Sequence, residues 1–443
     1  MSDERRLAVS TNGRTIGALV EQDDIWAFEY QDAWRQAADA FSLSPALPLS
    51  EKSHRDGSTH RTVQWYFDNL LPEERVREMI SREQGVSALD AFGLLECLGA
   101  ESAGSLVLLP PGGPEGEQGD QPLPPEDLSA RIRNLPRASL TSKAPKRMSL
   151  AGAQHKMVVL FDPATGALRE PLRGSASSHI LKPNGQSAQY PHSVVNETFT
   201  MRLARRLGLN VPPVVRLYVP EPVYIIERFD RAWDAGAKAW QRKHVLDACQ
   251  LLDQPPVFKY RTANLETLGR LIGLCRLKAA ARMAVFRWIL FNTLVGNSDS
   301  HLKNLSFLVS AEGVQVAPLY DLLCTAVYHT RVYAADAAIW PAEPLAIPVE
   351  GAAVFADVTR EKLVRTGLAL GLAPAAATRE VTKMIQDLPG AADALLADME
   401  REFADIAHRS QQPDALRATQ GAEAQLLRSV RNIVIADMLR QVA

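Results

Sequence analysis

The amino-acid sequence predicts an α+β fold, with a strand-rich first part followed by a largely helical second part. Three observations lead to this prediction. Short runs of β-forming residues are frequent before residue 260, apolar residues recur at helical spacing after residue 261, and one hairpin interrupts the helical part. Strands and helices that are separated along the chain in this way favour two lobes with a cleft between them.

The composition is that of an ordinary globular protein. The chain has 443 residues, of which 46% are hydrophobic and 23% charged, enough for about two or three domains. Its formal net charge of -2 argues against tight direct binding to nucleic acid or to an anionic membrane. MSDERRLAVS lacks the apolar core of a secretory signal, and the apolar run 285–295 is too short and too polar to span a bilayer. The four widely spaced cysteines favour buried reduced thiols in a cytoplasmic protein.

Residues 1–140 are predicted to form a separate N-terminal segment. LAVST, RTIGALV and IWAFEY have strand composition, and the Asn12-Gly13 pair between the first two is a hairpin signal. The stretch 66–80, YFDNLLPEERVREMI, is predicted to be helical. Residues 109–127, LPPGGPEGEQGDQPLPPED, lack material for a core and are predicted to form an exposed, mobile loop before the boundary near residue 140.

Residues 141–260 are predicted to be rich in strands, and residues 261–443 to be mainly helical. KMVVLF, HILKP and PVYIIERF are the expected strands of the first segment. A helix is expected over 194–209, because Phe199, Leu203 and Leu207 recur at four-residue spacing. In the second segment, LSFL and VQVAPL flank Ala-Glu-Gly and predict the embedded hairpin.

The loop in VGNSDSHLKNLSFL, residues 295–308, is the first candidate for chemistry. It follows an apolar helix that is predicted over 282–295, which would give it a rigid mount. Asp299 and Asn304 have the D-x-x-x-x-N spacing of a protein-kinase catalytic loop, where the carboxylate accepts a hydroxyl proton and the amide oxygen binds Mg²⁺. A surface turn matches the same spacing, so this loop alone does not decide between the two interpretations.

Four further features could complete a phosphoryl-transfer site, and three of them have a structural alternative. Asp321 in PLYD could bind metal or simply cap a turn. Lys182 in HILKP could contact phosphate and pair with Glu197 of the next helix, or reach water from the strand end. The small-residue run 147–156 could cradle phosphates or form a tight turn, and 224–231 could be an adenine-binding connector. These features follow one another along the chain in the same order as in protein kinases, and unrelated turns would not be expected to show that order.

Together these motifs resemble those of the HipA family, the bacterial Ser/Thr kinase toxins of HipBA toxin–antitoxin modules. The resemblance rests on SLAGAQHK, HILKPNG, NETFTMRLARRLGLNVP, ERFDR, GNSDSHLKN and PLYD, and on NGRTIGALV, SLSPALPLS and YFDNLLPE near the start. It implies a two-lobed protein-kinase-like fold of the α+β class. An extra N-terminal subdomain would cover 1–140, a kinase-like N-lobe 141–260, and an all-helical C-terminal lobe 261–443.

The resemblance also implies roles for individual residues. Asp299 would be the catalytic proton acceptor, Asn304 and Asp321 would hold Mg²⁺, and Lys182, with Glu197 as its possible partner, would contact ATP. Ser149 would be autophosphorylated in trans, which would eject the phosphate loop and silence the enzyme. The implied nucleotide site is completed by Ala151, Gly152, Ala153, Gln154, His155 and Lys156 of the phosphate loop, by Glu227, Arg228 and Phe229 of the adenine hinge, and by His301, Lys303, Asn304 and Tyr320.

In function, the resemblance implies transfer of the ATP γ-phosphate to a protein hydroxyl. The target would be an aminoacyl-tRNA synthetase, typically the glutamyl enzyme, so that translation stalls and growth arrest or persistence follows. A HipB-like helix-turn-helix antitoxin would be the partner, and operator DNA would be bound only through that complex, with no role for a membrane. The alternatives are a small-molecule phosphotransferase of the same fold and a pseudokinase corepressor that acts through the antitoxin.

The chain departs from the family pattern at two places. His155 stands in the phosphate loop where the best-known members carry an acidic residue, and the metal motif reads D-L-L rather than D-F-G. Near Ser149, the side chains of Lys143, Lys146 and Arg147 could receive a phosphoserine, or they could form a solvated basic loop.

Overall fold

The computed structural model describes residues 4–113, 116–409 and 413–443. The strands, in chain order, are β1 Arg5–Thr11, β2 Arg14–Gln22, β3 Ile25–Tyr30, β4 Ser53–Arg55, β5 Val107–Leu109, β6 Asp120–Pro122, β7 Met157–Phe161, β8 Leu168–Pro171, β9 His179–Pro183, β10 Val214–Tyr218, β11 Pro222–Glu227, β12 Arg231–Asp234, β13 Ala239–Arg242, β14 His244–Asp247, β15 Ser306–Ser310, β16 Gly313–Val316, β17 Pro344–Val349 and β18 Ala352–Val354. The α-helices are α1 Asp32–Arg35, α2 Thr62–Asp68, α3 Glu74–Gln84, α4 Ala91–Leu98, α5 Pro125–Arg133, α6 Ser193–Arg206, α7 Ala248–Leu251, α8 Leu265–Leu274, α9 Lys278–Leu294, α10 Arg331–Ala334, α11 Arg360–Ala369, α12 Pro374–Arg409, α13 Pro413–Ser429 and α14 Ala436–Val442.

The chain divides into two compact units. Unit 1 contains residues 1–182, 225–259 and 306–317, and unit 2 contains residues 183–224, 260–305 and 318–443. The chain passes between the units within β11. The three-part division at residues 140 and 260 that the sequence suggests stays a prediction.

The first sheet of unit 1 has the strand order β4-β3-β2-β1-β5. Its β1–β2 turn confirms the hairpin signal, because Asn12 and Gly13 have φ values of 47° and 75°, as a two-residue hairpin turn requires. Alternate residues of β3, namely Trp26, Phe28 and Tyr30, point to one face and are almost fully buried. This face is the core of the N-terminal part.

The stretch 66–80 forms two helices, whereas the sequence analysis predicted one. α2 ends at Asp68 and α3 begins at Glu74. Pro72 explains the break, because proline has no amide hydrogen and disfavours helical geometry in the residue before it. Backbone groups between the two helices can therefore form hydrogen bonds with other segments of unit 1.

The other strands of unit 1 form further groups. β11, β9, β7, β8 and β6 lie side by side in that order, and β6 pairs antiparallel with β8. Part of the predicted mobile loop 109–127 is thus a strand, while residues 114 and 115 of that loop lie outside the described residues. The predicted hairpin at 305–319 is confirmed as β15–β16, and β14 pairs with its free side.

Unit 2 is mainly helical, as expected, and contains the strand pair β17–β18, which was not predicted. The helix α12 packs against α6, α9, α11 and α13. The buried α9 ends where Gly296 takes a left-handed backbone with φ of 70°. A Cβ at this glycine would lie 2.5 Å from Val434 Cγ1 and 2.8 Å from Ala326 Cβ, so only glycine fits here. No helix in the described ranges combines the length and apolar character needed to cross a membrane.

Candidate active site

The loop that follows α9 in unit 2 is held by hydrogen bonds on both sides of Asp299. Asn297 Nδ2 donates to Asn292 Oδ1 (2.8 Å), and Asn297 Oδ1 accepts the Asp299 amide (3.0 Å). The Asp299 carbonyl accepts the amide of His301 (2.9 Å) and Asn304 Nδ2 (2.7 Å). The backbone of Asp299 is therefore fixed by two asparagine side chains, and its carboxylate takes no part in these bonds.

Asn304 and Asp321 offer the oxygen donors that Mg²⁺ prefers. The amide nitrogen of Asn304 is engaged by Asp299, so its Oδ1 is the atom that can face a cation. Asp321 has φ of 56°, which is uncommon for a non-glycine residue and is often found at functional sites. Tyr320, just before it, donates its hydroxyl to the Lys303 carbonyl (2.8 Å) and connects this segment to the loop that contains Asp299.

This donor set fits a magnesium ion that is shared with a nucleotide. Among the residues that the structure describes, no three His, Cys, Asp or Glu side chains come together as a metal site. Magnesium is usually held by one or two protein carboxylates, with phosphate oxygens and water completing its shell. One carboxylate and one amide oxygen therefore suffice here, provided that the nucleotide supplies the other ligands.

Asn196 of α6 is a residue that the sequence analysis missed. Its Nδ2 donates to the Cys324 carbonyl (2.8 Å) and its Oδ1 accepts the Cys324 amide (2.8 Å). This two-bond clamp fixes the segment that follows Asp321. Asn196 is fully buried in a helix that also carries several other polar residues, so its place in the sequence offered no clear signal of this role.

Glu197, the neighbour of Asn196, lies close to Tyr224 in the interior of unit 2. Burial raises the pKa of the Tyr224 hydroxyl well above its usual range, and the negative charges of Glu197 and Asp321 raise it further. Both carboxylates therefore act on the same tyrosine, so Glu197 lies in the neighbourhood of Asp321, the predicted metal ligand. Its pairing with Lys182, which belongs to unit 1, stays a prediction.

Tyr260, which the sequence analysis also missed, contacts the candidate base directly. Its hydroxyl donates to Asp299 Oδ1, and its ring packs edge-on against His301 with centroids 4.9 Å apart. The side chain is half-exposed, so it can move without disturbing a core. The phenol hydroxyl thus occupies a position at the carboxylate that a substrate hydroxyl would need.

Replacing Tyr260 with phenylalanine is therefore expected to lower the KM for the protein acceptor. A hydrogen bond to a charged group contributes about 1.5–3 kcal/mol, and the low end, which suits a half-exposed group, corresponds to a decrease of about tenfold, with the KM for ATP unchanged. Steady-state kinetics with casein as the acceptor measures this effect. Tyr333→Phe, at a tyrosine of unit 2 that packs on Tyr328, is the matched control. A higher acceptor KM in Tyr260→Phe would show that the hydroxyl assists substrate binding instead.

The predicted phosphate loop lies in unit 1, and its start is buried there. Ser149 is fully buried, donates its Oγ–H to the Leu70 carbonyl (2.8 Å), and donates its amide to the Glu101 carbonyl (2.6 Å). The Gly152 carbonyl accepts the amide of Glu73 (3.3 Å). The break between α2 and α3 thus provides the groups that hold this loop.

Within the loop, one side chain folds back over the backbone. Lys156 Nζ donates to the Ala151 carbonyl (2.5 Å), and a Cβ at Gly152 would lie 2.7 Å from that nitrogen. Gly152 has φ of 108°, a conformation that side chains disfavour. Ala153 is exposed at the tip of the loop. Gly152 and the neighbouring alanines therefore allow a tight backbone turn, against which the Lys156 side chain packs.

The remaining loop residues border a small pocket of unit 1. Gln154 and His155 lie on one side of it, and apolar residues of α3, including Val76 and Met79, lie on the other. Burial lowers the pKa of the His155 ring, and the carboxylate of Glu83 opposes this shift. His155 is thus favoured in its neutral form near pH 7.

Lys182 and the hinge residues also lie in unit 1. Lys182 is 7% exposed within β9, so it is a buried cation rather than one that reaches water freely. The guanidinium of Arg228 donates to Glu101 Oε1 (3.0 Å) and Asp230 Oδ2 (2.7 Å), and its amide donates to the Ser178 carbonyl (2.9 Å). Of the three hinge residues, the half-buried Glu227 and Phe229 are therefore the better candidates to face adenine.

Two family models match the chain: HipA-like C-terminal domain over residues 148–393, and HipA N-terminal domain over residues 7–109. The chain belongs to the HipA family. Its relatives include Putative kinase Y4mE of Sinorhizobium fredii, which is 38% identical over 340 residues, 73% of this chain and 78% of the relative. The Serine/threonine-protein kinase toxin HipA of Shewanella oneidensis is 32% identical over 326 residues, 69% of this chain and 71% of the relative.

A solved structure confirms the fold class of this HipA-family chain. The Shewanella oneidensis structure of HipA with HipB and operator DNA matches with a TM-score of 0.73 at 25% identity, over 99% of this chain and 100% of that one. The predicted α+β kinase-like fold and the predicted family are thus confirmed. As a member of this family, the chain is a serine/threonine-protein kinase.

Proposed function

We propose that this HipA-family kinase transfers the γ-phosphoryl group of ATP to a protein serine or threonine, with Asp299 as the proton acceptor. The observation that supports this assignment is the fixed loop in which Asn297 and Asn304 hold the backbone of Asp299. A base that is held in this way can meet the substrate hydroxyl at a defined distance, and such positioning accounts for a large part of phosphoryl-transfer catalysis.

In the proposed reaction, the Asp299 carboxylate orients the substrate hydroxyl and takes its proton. The hydroxyl oxygen then forms a bond to the γ-phosphorus while the bond to the ADP oxygen breaks. Asn304 and Asp321 would hold Mg²⁺, which when bound neutralises negative charge on the phosphates. Lys182 would assist as a buried cation, because a positive charge that is shielded from water acts strongly on a nearby phosphate.

We further propose that the kinase acts as the toxin of a toxin–antitoxin pair. HipA of Shewanella oneidensis supports this role, because the relative is named a kinase toxin and the solved structure contains HipA with HipB and operator DNA. The proposed partner is a HipB-like helix-turn-helix antitoxin in the cytoplasm, and operator DNA would be reached only through it, in keeping with the net charge of -2. The proposed target is an aminoacyl-tRNA synthetase such as the glutamyl enzyme, whose modification would cause growth arrest and persistence.

Ser149 is the proposed autophosphorylation site, and its burial gives the modification a physical consequence. A phosphoserine carries nearly two negative charges and cannot return to a fully buried position beside the Leu70 carbonyl. The loop would then stay displaced and the kinase would be silent. Of the three nearby cations, Lys146 is buried against Glu101 Oε2 (2.7 Å), whereas Lys143 and Arg147 are exposed and can receive the phosphate.

Incubation with labelled ATP and Mg²⁺ is expected to label the purified chain at Ser149. Ser149→Ala should lose this label and keep its transfer to casein, and Ser142→Ala, at an exposed serine of the same segment, is the matched control. Mass spectrometry locates the phosphate. If Ser149→Ala is labelled as strongly as the wild type, the proposed site is wrong.

Phosphoproteomics after controlled expression tests the proposed function as a whole. Comparison of the wild type with Asp299→Asn should reveal phosphoproteins that depend on Asp299. An unchanged phosphoproteome, together with ATP turnover on metabolites, would favour a small-molecule phosphotransferase. The absence of any turnover would favour a pseudokinase that acts through the antitoxin.

A further inference from the structure

A chain of hydrogen bonds in unit 2 ends on the residue just before Asp299. The Ser298 amide donates to Thr325 Oγ1 (2.6 Å), the hydroxyl oxygens of Ser298 and Thr325 lie 2.7 Å apart, and the Ser298 hydroxyl donates to Glu343 Oε1. Thr325 Oγ1 also reaches the Gly296 carbonyl (3.2 Å). Both ends of the catalytic loop segment 296–298 therefore depend on the same group of side chains.

Glu343 is an unexpected residue in this place, because it is only 4% exposed. His329 Nε2 is 3.5 Å from Glu343 Oε1, and Oε2 has no hydrogen-bond partner within the described part of the chain. A buried carboxyl group that is not fully hydrogen-bonded opposes folding, and an apolar residue would avoid that cost. The stability of the fold therefore does not explain a glutamate at this position. Its hydrogen bond to Ser298, in the loop that contains Asp299, does explain it.

The chemistry of the three groups explains what a carboxylate adds. A serine hydroxyl has a single proton and can point it in several directions, and an acceptor oxygen at position 343 fixes that direction. Glu343 therefore accepts the Ser298 hydroxyl proton in a hydrogen bond, and the single Thr325 hydroxyl proton is shared between the Ser298 oxygen and the Gly296 carbonyl. Thr325 Oγ1 in turn accepts the Ser298 amide, which fixes the peptide that leads into Asp299.

We propose that Glu343 is a positioning residue of this kinase, which sets the place of the Asp299 carboxylate through Ser298 and Thr325. The inference rests on the proposed role of Asp299 as the base. A displacement of a reacting group by about 1 Å can lower the rate by about 100-fold, so a loosened Ser298 is sufficient to impair transfer.

The test compares kcat and KM in three single variants and one double variant of the full chain. Glu343→Ala and Ser298→Ala are each expected to lower kcat for transfer to casein by about 30- to 100-fold, with the KM for ATP within about twofold of the wild type. Glu343→Gln keeps an acceptor oxygen and is expected to restore kcat to within about threefold. Because both residues act along one path, the double variant Glu343→Ala, Ser298→Ala should be no worse than either single variant.

A matched control and a second readout separate positioning from general stability. Glu423→Gln alters another buried carboxylate of unit 2, which accepts the Tyr218 hydroxyl, and it is expected to leave kcat unchanged. Amide hydrogen exchange at Ser298 and Asp299 should become faster in Glu343→Ala and stay slow in Glu423→Gln. This readout needs no substrate.

Several results would overturn the inference. They are a wild-type kcat in Ser298→Ala, a Glu343→Gln variant as impaired as Glu343→Ala, or unchanged exchange at Ser298 and Asp299. If Glu343→Ala does not fold, Ser298→Ala and Glu343→Gln decide the question alone. Wild-type transfer by Asp299→Asn would instead remove the proposed base, and the exchange data would still report whether Glu343 holds the loop.

Discussion

Asp299→Asn is expected to lower kcat by about 10²- to 10⁴-fold, the usual contribution of a positioned general base. Asparagine has nearly the same size as aspartate, but its amide cannot take up the hydroxyl proton. The loop should keep its shape, because the hydrogen bonds that Asn297 and Asn304 make to Asp299 involve its backbone and not its side chain. The loss should therefore appear in kcat, while the KM for ATP changes little.

Steady-state transfer from labelled ATP to casein measures this effect. Asp336→Asn, at an exposed aspartate of unit 2, is the control and should behave as the wild type. Hydrogen exchange in the catalytic loop should be unchanged in Asp299→Asn, which separates lost chemistry from lost structure. A kcat within about threefold of the wild type would mean that transfer needs no carboxylate base, and that positioning and charge carry the catalysis.

The features of this protein that the sequence predicted correctly are local in the chain. Asn12-Gly13 specifies its turn through its own backbone preferences, and the helical mount α9 follows from residues that are neighbours along one helix. Asp299 and Asn304 are five positions apart, and in the structure Asn304 Nδ2 indeed bonds to the Asp299 carbonyl. For such features, spacing along the chain already reflects distance in space.

The residues that were missed act across long stretches of chain. Asn196 clamps Cys324 from 128 positions away, Glu343 accepts from Ser298 at a separation of 45, and Tyr260 reaches Asp299 over 39. No periodicity or motif encodes such contacts, since they depend on how the helices of unit 2 pack.

Lys146 shows that the surroundings of a charged residue also depend on contacts between distant parts of the chain. From the sequence it belonged to a short basic run beside Ser149, and a solvated loop was one of its two interpretations. In unit 1 it is 2% exposed and bonds to Glu101, a residue 45 positions earlier. Burial lowers its pKa to about 8, although the Glu101 carboxylate opposes that shift. Whether a basic residue is buried or solvated thus depends on its partner, and the local sequence does not reveal that partner.

Glu101→Gln is expected to lower the free energy of unfolding by about 3–5 kcal/mol, the usual effect of removing one partner of a buried ion pair. Glu101 is fully buried and is the centre of the charged cluster in unit 1. Its two carboxylate oxygens accept hydrogen bonds from Lys146 (2.7 Å), Arg228 (3.0 Å), Arg231 (2.8 Å) and Arg242 (2.9 Å). Without this charge, Arg228 and Arg231 would still pair with Asp230, whereas Lys146 and Arg242 would lose the carboxylate that they contact. Urea denaturation of the full chain measures the loss.

The effect should depend on pH in a defined direction. Burial alone would raise the pKa of the Glu101 carboxyl, but the charges of Arg242, Lys146, Arg231 and Arg228 outweigh burial and hold that pKa well below its usual range. Since the pKa is lower in the folded chain than in the unfolded chain, the stabilisation is complete above the ordinary carboxyl range and decreases as the pH falls below about 5. The difference between wild type and Glu101→Gln should therefore narrow in acid.

The same carboxylate also contacts the proposed nucleotide site, which makes the prediction sharper than a loss of stability alone. The Glu101 side chain holds Arg228 of the proposed hinge, so Glu101→Gln should also weaken ATP binding, while the Glu101 carbonyl that accepts the Ser149 amide is unchanged by the substitution. Asp39→Asn, which removes a carboxylate from an exposed ion pair with Arg14, should change neither property. Adding Arg242→Gln to Glu101→Gln removes one of the surplus cations and should recover part of the stability. If the two substitutions instead destabilise the chain additively, the cluster does not act as one charge-balanced unit.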